Sequence, residues 1–120
     1  MRRILMMFAA VVVVTGSAPS ARAHAFLDHA SLAVGSSVPT APAVVTLWFT
    51  QDVEPAFSSV TITNEAGQRV DLGSAHIPQG SPAVLQIGLK PLPRGRYTVS
   101  WRVVSVDTHP TEGTFTFEVG

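Results

Sequence analysis

Three observations predict that this chain folds as an all-β protein. Apolar and polar residues alternate in several short runs, which is the period of a strand with one buried face and one wet face. Turn-forming residues separate these runs, and no window has the spacing of an amphipathic helix. Short strands joined by antiparallel turns predict one domain, either a β-sandwich or a small Greek-key barrel.

The alternating runs all lie after Ala41, and within each run the apolar residues share one parity. We expect these residues to form the core. In chain order they are Val45, Leu47 and Phe49; Val60 and Ile62; Leu85, Ile87 and Leu89; Tyr97, Val99, Trp101 and Val103; and Phe115, Phe117 and Val119. Trp48 has the opposite parity to its neighbours, so we expect it to be partly exposed or to cover the edge of the sandwich.

Residues 1–23 have the pattern of an export signal. Paired arginines precede an apolar run over residues 4–14, and the segment ends in Ala21-Arg22-Ala23, a small-residue site of the kind that signal peptidase cleaves. Because a membrane span needs about 20 apolar residues, the run is too short to favour the alternative of an uncleaved anchor. We therefore expect a signal peptide over 1–23, a domain over 24–120, export by the general secretory route, and a periplasmic or extracytoplasmic location.

The composition of the expected mature chain excludes several kinds of protein. Its five Lys/Arg and eight Asp/Glu give a formal net charge of −3, which argues against nucleic-acid binding. The absence of cysteine excludes a disulfide-stapled scaffold and a sulfur-rich zinc site. All three methionines lie in the predicted signal, so a Cu(I) site built from thioethers is excluded as well.

His24 would be the first residue after cleavage, where its α-amine and its imidazole can chelate one metal ion. Further along the chain, Asp107 and His109 offer a carboxylate and a second imidazole on the same strand parity. Pro110 follows directly and cannot donate to a sheet ladder, so we expect the pair at a strand end or in a loop. Nitrogens from both histidines and an oxygen from Asp107 suit Cu(II) in a tetragonal field.

Three segments carry a resemblance to a known family. They are His24-Ala25-Phe26-Leu27; Leu47-Trp48-Phe49 followed by Val53-Glu54-Pro55-Ala56-Phe57-Ser58; and Trp101-Arg102-Val103-Val104-Ser105-Val106-Asp107-Thr108-His109 followed by Gly113-Thr114-Phe115-Thr116-Phe117. Over essentially the whole mature chain the sequence resembles the periplasmic copper-resistance protein CopC and its YobA-like relatives. The resemblance implies a single immunoglobulin-like Greek-key β-sandwich of about seven strands. It also implies that the Cu(II) ligands are His24, Asp107 and His109.

The chain departs from the family pattern in two respects. Gln51 stands where many members have a glutamate near the copper, and Asp52 and Glu54 are nearby candidates to supply the missing charge. The Met-rich Cu(I) site of some members is lacking, so the resemblance implies a Cu(II)-only member. His29 is expected beside the ligands or exposed to solvent more readily than as a ligand itself. His76 is expected at the surface.

The sequence therefore predicts an exported protein that sequesters or delivers Cu(II) in copper resistance or homeostasis, and that is not an enzyme. We expect a monomer, with a CopD-like membrane copper permease as a candidate partner. Two alternatives stay open: a histidine-brace copper monooxygenase and a metal-free immunoglobulin-like interaction domain. Against the first, the 97 residues of the mature chain leave little room for a substrate platform. Thermal melting with and without Cu(II) separates the second from a copper binder.

Overall fold

The computed structural model describes residues 24–120, and the predicted signal segment lies outside that range. Residues 24–120 form two β-sheets without any α-helix, and hence without a helix long and apolar enough to cross a membrane. A 3-10 segment spans Pro55–Phe57. The seven strands of the described range are β1 (Leu27–Ala30), β2 (Ser37–Val38), β3 (Val44–Phe49), β4 (Ser59–Thr63), β5 (Val84–Gly88), β6 (Gly95–Val104) and β7 (Pro110–Val119).

The strands divide into a three-stranded sheet of order β1-β3-β5 and a four-stranded sheet of order β2-β7-β6-β4. All neighbouring strands are antiparallel except β2 and β7. β6 and β7 form a long hairpin that is paired from Gly95 and Val119 to Val104 and Pro110. An isolated bridge between Val53 and Ser105 joins the chain leaving β3 to the turn end of this hairpin. The two sheets are therefore connected at the end where the predicted ligands lie.

All the apolar residues that the sequence predicts lie in the core, which also contains Ala25, Ala30, Leu32 and Val53. Each of them is buried, with at most 8% of its surface exposed, whereas Trp48 is half-buried and His76 is exposed. Phe49 and Trp101 pack edge to face across the two sheets, with ring centroids 5.3 Å apart. A Cβ atom at Gly113 would lie 2.7 Å from the Trp101 ring, so glycine is needed at this position to leave room for the indole. The alternation thus confirms a sandwich with its core between the sheets.

The first two strands are not among the runs that the sequence analysis identifies. β1 contains an irregularity between Leu27 and His29, and Asp28 and His29 are exposed. A bulge of this kind breaks the period of two, so the strand carries no alternation that could be recognised. β2 has only two residues and pairs in parallel with β7.

Candidate metal centre

The turn that joins β6 to β7 carries two of the predicted ligands. β6 ends at Val104 and β7 begins at Pro110. Between them, the Ser105 N–H donates to the His109 carbonyl at 3.1 Å, and the Thr108 N–H donates to the Ser105 carbonyl at 2.8 Å. Thr108 has a left-handed φ of 72°, which allows the chain to reverse tightly. Asp107 and His109 therefore lie in a turn at a strand end, as the position of Pro110 predicts.

The carboxylate of Asp107 is held by two neighbours in this turn. The Ser105 hydroxyl donates to Asp107 Oδ1, and the same oxygen lies 3.3 Å from His109 Nδ1. The hydrogen bond from Ser105 is the main reason that the pKa of Asp107 lies below its ordinary value; desolvation opposes it, and His109 lowers the pKa further. The side chains of Asp107 and His109 are both 48% exposed. An ionised carboxylate and an imidazole are thus available to solvent.

His24 lies against His109, although the two residues are far apart in the sequence. Their ring centroids are 4.6 Å apart and their planes differ by 16°. Phe26 stacks on His24, with centroids 5.9 Å apart and planes 8° apart. The fold therefore brings the three predicted ligands together in one series of contacts, from His24 to His109 and from His109 to Asp107.

The rings of His24 and His109 are stacked and are not oriented to coordinate one metal ion. An imidazole nitrogen binds a metal through a lone pair in the plane of its ring, and two nearly parallel planes do not meet at one ion. Accordingly, within the described range no group of three or more His, Asp or Glu side chains is gathered to hold a metal. Joint binding of one ion by His24 and His109 requires at least one ring to rotate. The α-amine of His24 also becomes available only when its bond to Ala23 is cleaved.

The loop after β3 is bound to this turn through its backbone. The Asp52 carbonyl accepts from the Val106 N–H at 3.2 Å, and the Glu54 N–H donates to the Val104 carbonyl at 2.8 Å. Gln51, the residue that replaces the expected glutamate, is half-buried in the same loop. Gln51 and Glu54 are therefore carried on a segment that is fixed beside Asp107 and His109.

His29 has different neighbours from the other candidate residues. Its Nδ1 lies 2.6 Å from the Asp28 carboxylate, and its ring stacks on Trp48 with centroids 4.3 Å apart. This stacking explains why Trp48, whose parity points it away from the core, is only half-exposed. The sequence does not indicate the Asp28 contact, because adjacent residues on a regular strand point to opposite faces, whereas β1 is irregular between Leu27 and His29.

Comparison with known proteins shows the family to which this chain belongs. The model of the CopC domain family matches residues 27–120. The chain is 39% identical over 102 residues to protein YobA of Escherichia coli strain K12, which covers 84% of this chain and 82% of that protein. It is 37% identical over 120 residues to copper resistance protein C of Xanthomonas campestris pv. juglandis, which covers 91% of each chain.

A solved structure has the same fold. The crystal structure of CopC from Methylosinus trichosporium OB3b superposes on this protein with a TM-score of 0.75 at 36% sequence identity. The match covers 80% of this chain and 93% of that one. The predicted β-sandwich and the family resemblance are both confirmed.

Proposed function

Because this chain belongs to the CopC domain family, we propose that it is an exported protein that binds Cu(II) and sequesters or delivers it. The observation that carries the proposal is the contact between His24 and His109, whose ring centroids lie 4.6 Å apart. With Asp107 against His109, one end of the sandwich holds the side chains that the resemblance implies as ligands. Copper is the cargo of this protein.

Each ligand has its own role in the proposed site. After cleavage, the α-amine and imidazole of His24 close a chelate ring on the ion, and His109 adds a third nitrogen. Asp107 supplies an oxygen and one negative charge from a side chain that is 48% exposed. Nitrogen and carboxylate ligands favour Cu(II), whereas Cu(I) prefers the sulfur ligands that the expected mature chain does not contain.

The surroundings of the ligands support binding and release more than catalysis. A cleft of about 670 Å³ lies at the opposite end of the β6–β7 hairpin, where Arg94, Arg96 and Glu118 are among its lining residues. The 10 residues of β6 separate this cleft from the ligands, which corresponds to roughly 30 Å along the strand. The ligands themselves are at an exposed turn, where another protein can reach the ion directly. The recipient that we propose is a CopD-like membrane permease.

Competition titration with a Cu(II) chelator, using the protein that begins at His24, tests the proposal. His109→Ala is expected to lower the affinity by at least ~100-fold, because even residues beside a metal's ligands typically contribute 10–100-fold. One additional residue before His24 is expected to have a similar effect, because it removes the terminal amine from the chelate.

The control for this titration is His76→Ala. His76 is exposed and pairs with Gln86 in the middle of β5, so its loss removes an imidazole without touching the proposed site. Unchanged Cu(II) affinity in both the His109 variant and the extended protein would contradict the proposal. A copper-dependent rise in melting temperature in the unsubstituted protein provides an independent measurement.

A further inference from the structure

The three residues at the start of the described chain are held by side-chain hydroxyls and not by a regular sheet ladder. The Phe26 N–H donates to Thr50 Oγ1 at 2.9 Å, and the Thr50 hydroxyl donates to the His24 carbonyl at 3.4 Å. The Thr50 N–H donates in turn to the Phe26 carbonyl at 2.9 Å. The hydroxyl of Thr111 donates to the Ala25 carbonyl. Two threonines therefore bind the backbone of residues 24–26.

These two threonines belong to different sheets. Thr50 directly follows β3 in the three-stranded sheet, and Thr111 is the second residue of β7 in the four-stranded sheet. Between them the side chain of Ala25 is completely buried. The segment is thus fixed from both sides of the sandwich, which sets the direction in which His24 leaves the surface. His109 lies in the β6–β7 turn, two residues before Thr111 at the start of β7. One short segment therefore carries both the ring that His24 contacts and the hydroxyl that binds the backbone of Ala25.

On the basis of the function proposed above, we propose that Thr50 and Thr111 are positioning residues of the copper site. They hold residues 24–26 in the register that places His24 beside His109, and neither hydroxyl contacts the ion. A chelating residue at a chain terminus otherwise loses backbone freedom when the ion binds, and this loss weakens binding. The hydroxyls remove that freedom during folding, before copper arrives.

Replacement of each threonine by valine tests the assignment, because valine keeps the β-branched shape and removes only the hydroxyl. Thr50→Val is expected to weaken Cu(II) binding ~10-fold, since it loses two hydrogen bonds that are each of modest net strength. Thr111→Val is expected to weaken binding ~5-fold through loss of one hydrogen bond. Thr50→Ser and Thr111→Ser keep the hydroxyl and are expected to restore the affinity.

Thr114→Val is the matched control. Thr114 is on the same strand as Thr111 but is exposed on the outer face of the sheet, so its substitution is expected to leave copper binding unchanged. Electron paramagnetic resonance of the Cu(II)-loaded variants reports the geometry around the ion. This spectrum would stay unchanged if the threonines contributed only to the stability of the fold. Thr50→Val is expected to give more than one set of Cu(II) parameters, because His24 is no longer held in one position.

The outcomes separate this inference from the proposed function. If the unsubstituted protein binds Cu(II), and Thr50→Val and Thr111→Val bind it with the same affinity and the same spectrum, the positioning role is overturned and the function stands. A lower melting temperature of the metal-free variants with unchanged copper affinity would also overturn it. Failure of the unsubstituted protein to bind Cu(II) overturns the proposed function together with the positioning role.

Discussion

Two loops of this protein each hold an aspartate, and they hold it in opposite ways. The side chain of Asp71, in the loop between β4 and β5, is completely buried, whereas that of Asp107, in the β6–β7 turn, is 48% exposed. Both carboxyl groups have a pKa below the ordinary value. The difference lies in which groups surround the oxygens.

Every hydrogen-bonding position of the Asp71 carboxylate is taken by the protein. Oδ2 accepts from the Ile62 N–H and from Arg69 Nε, while Oδ1 accepts from the Gly73 N–H and from a terminal nitrogen of Arg69. Burial by itself raises the pKa of Asp71, but these hydrogen bonds outweigh it and the pKa is lowered. The carboxylate of Asp71 therefore connects the loop to β4 and has no capacity for an external ligand.

The Asp107 carboxylate is oriented by the protein but is not enclosed by it. Ser105 and His109 both contact Oδ1, and the side chain is 48% exposed. The carboxylate is thus held in place by its neighbours while it stays accessible to solvent. A low pKa alone therefore does not identify a binding carboxylate; exposure distinguishes Asp107 from Asp71.

The largest expected effect is that of Asp71→Asn on stability. The amide nitrogen of asparagine would have to face donors that now meet a carboxylate oxygen, so we expect a loss of about 3 kcal/mol in the free energy of unfolding. Urea unfolding of the metal-free protein measures this change. The Cu(II) affinity of the folded variant is expected to be unchanged, because no copper ligand is touched. Reduced affinity with full stability would reverse the roles assigned to the two aspartates.

The pH dependence of this stability difference provides a second test. Because the pKa of Asp71 is lower in the folded state than in the unfolded state, its stabilising contribution is fully present above the unfolded pKa of about 3.9. The contribution is lost as pH falls through the folded value. The difference in free energy of unfolding between the unsubstituted protein and Asp71→Asn should therefore decrease as the pH falls below about 4. A difference that stays constant there would contradict the ionised role of Asp71.

Asp107→Asn is expected to have the opposite effects: it should weaken Cu(II) binding and leave stability nearly unchanged. Its side chain is 48% exposed, so the free energy of unfolding should change much less than it does in Asp71→Asn. Loss of the charged oxygen should weaken Cu(II) binding roughly 30-fold. The titration and unfolding measurements used for Asp71→Asn apply to this variant as well. If Asp107→Asn destabilised the fold and left copper binding intact, Asp107 would be a structural residue like Asp71.

The sequence predicts the strands that bury one face and misses the others for physical reasons. In β3 to β7, the buried apolar residues share one parity within each strand, and this imposes the alternation that identifies a strand. β1 lacks this pattern because its irregularity leaves Asp28 and His29 exposed. β2 is held only by two residues paired with the end of β7, and so short a pairing has no signature in sequence.

The candidate site is predictable in its residue types but not in its geometry. The spacing of Asp107 and His109 before Pro110 indicates a turn with two ligand types. The contacts of His24 with His109, and of Ala25 with Thr111, depend instead on the register of strands that are distant in sequence. Thr50 and Thr111 are ordinary strand residues by composition, and only the folded chain shows that they hold residues 24–26. The sequence likewise shows Asp71 only as one acidic residue in a polar loop. Its burial, and its hydrogen bonds from Arg69 and from backbone N–H groups, are seen only in the folded chain.

The smallest expected effect concerns Gln51, which stands in place of an acidic residue. Gln51→Glu adds a negative charge on the loop whose backbone is bound to the β6–β7 turn. For a half-buried charge close to a cation, we expect binding tighter by about 0.5 kcal/mol, or roughly twofold. This gain should decrease as salt is added. Competition titration at two ionic strengths measures it.

Gln68→Glu is the control for charge alone, because Gln68 lies in the turn with Asn64, at the end of β4 away from the ligands. It should change Cu(II) affinity less than Gln51→Glu does. A gain of 100-fold in Gln51→Glu would mean that residue 51 reaches the ion, so that the natural glutamine leaves a ligand position unfilled. A modest, salt-sensitive gain would mean that Asp107 is the carboxylate that binds copper and that residue 51 acts only through its charge. Equal gains in Cu(II) affinity in the two variants would mean that neither added charge acts at the copper site.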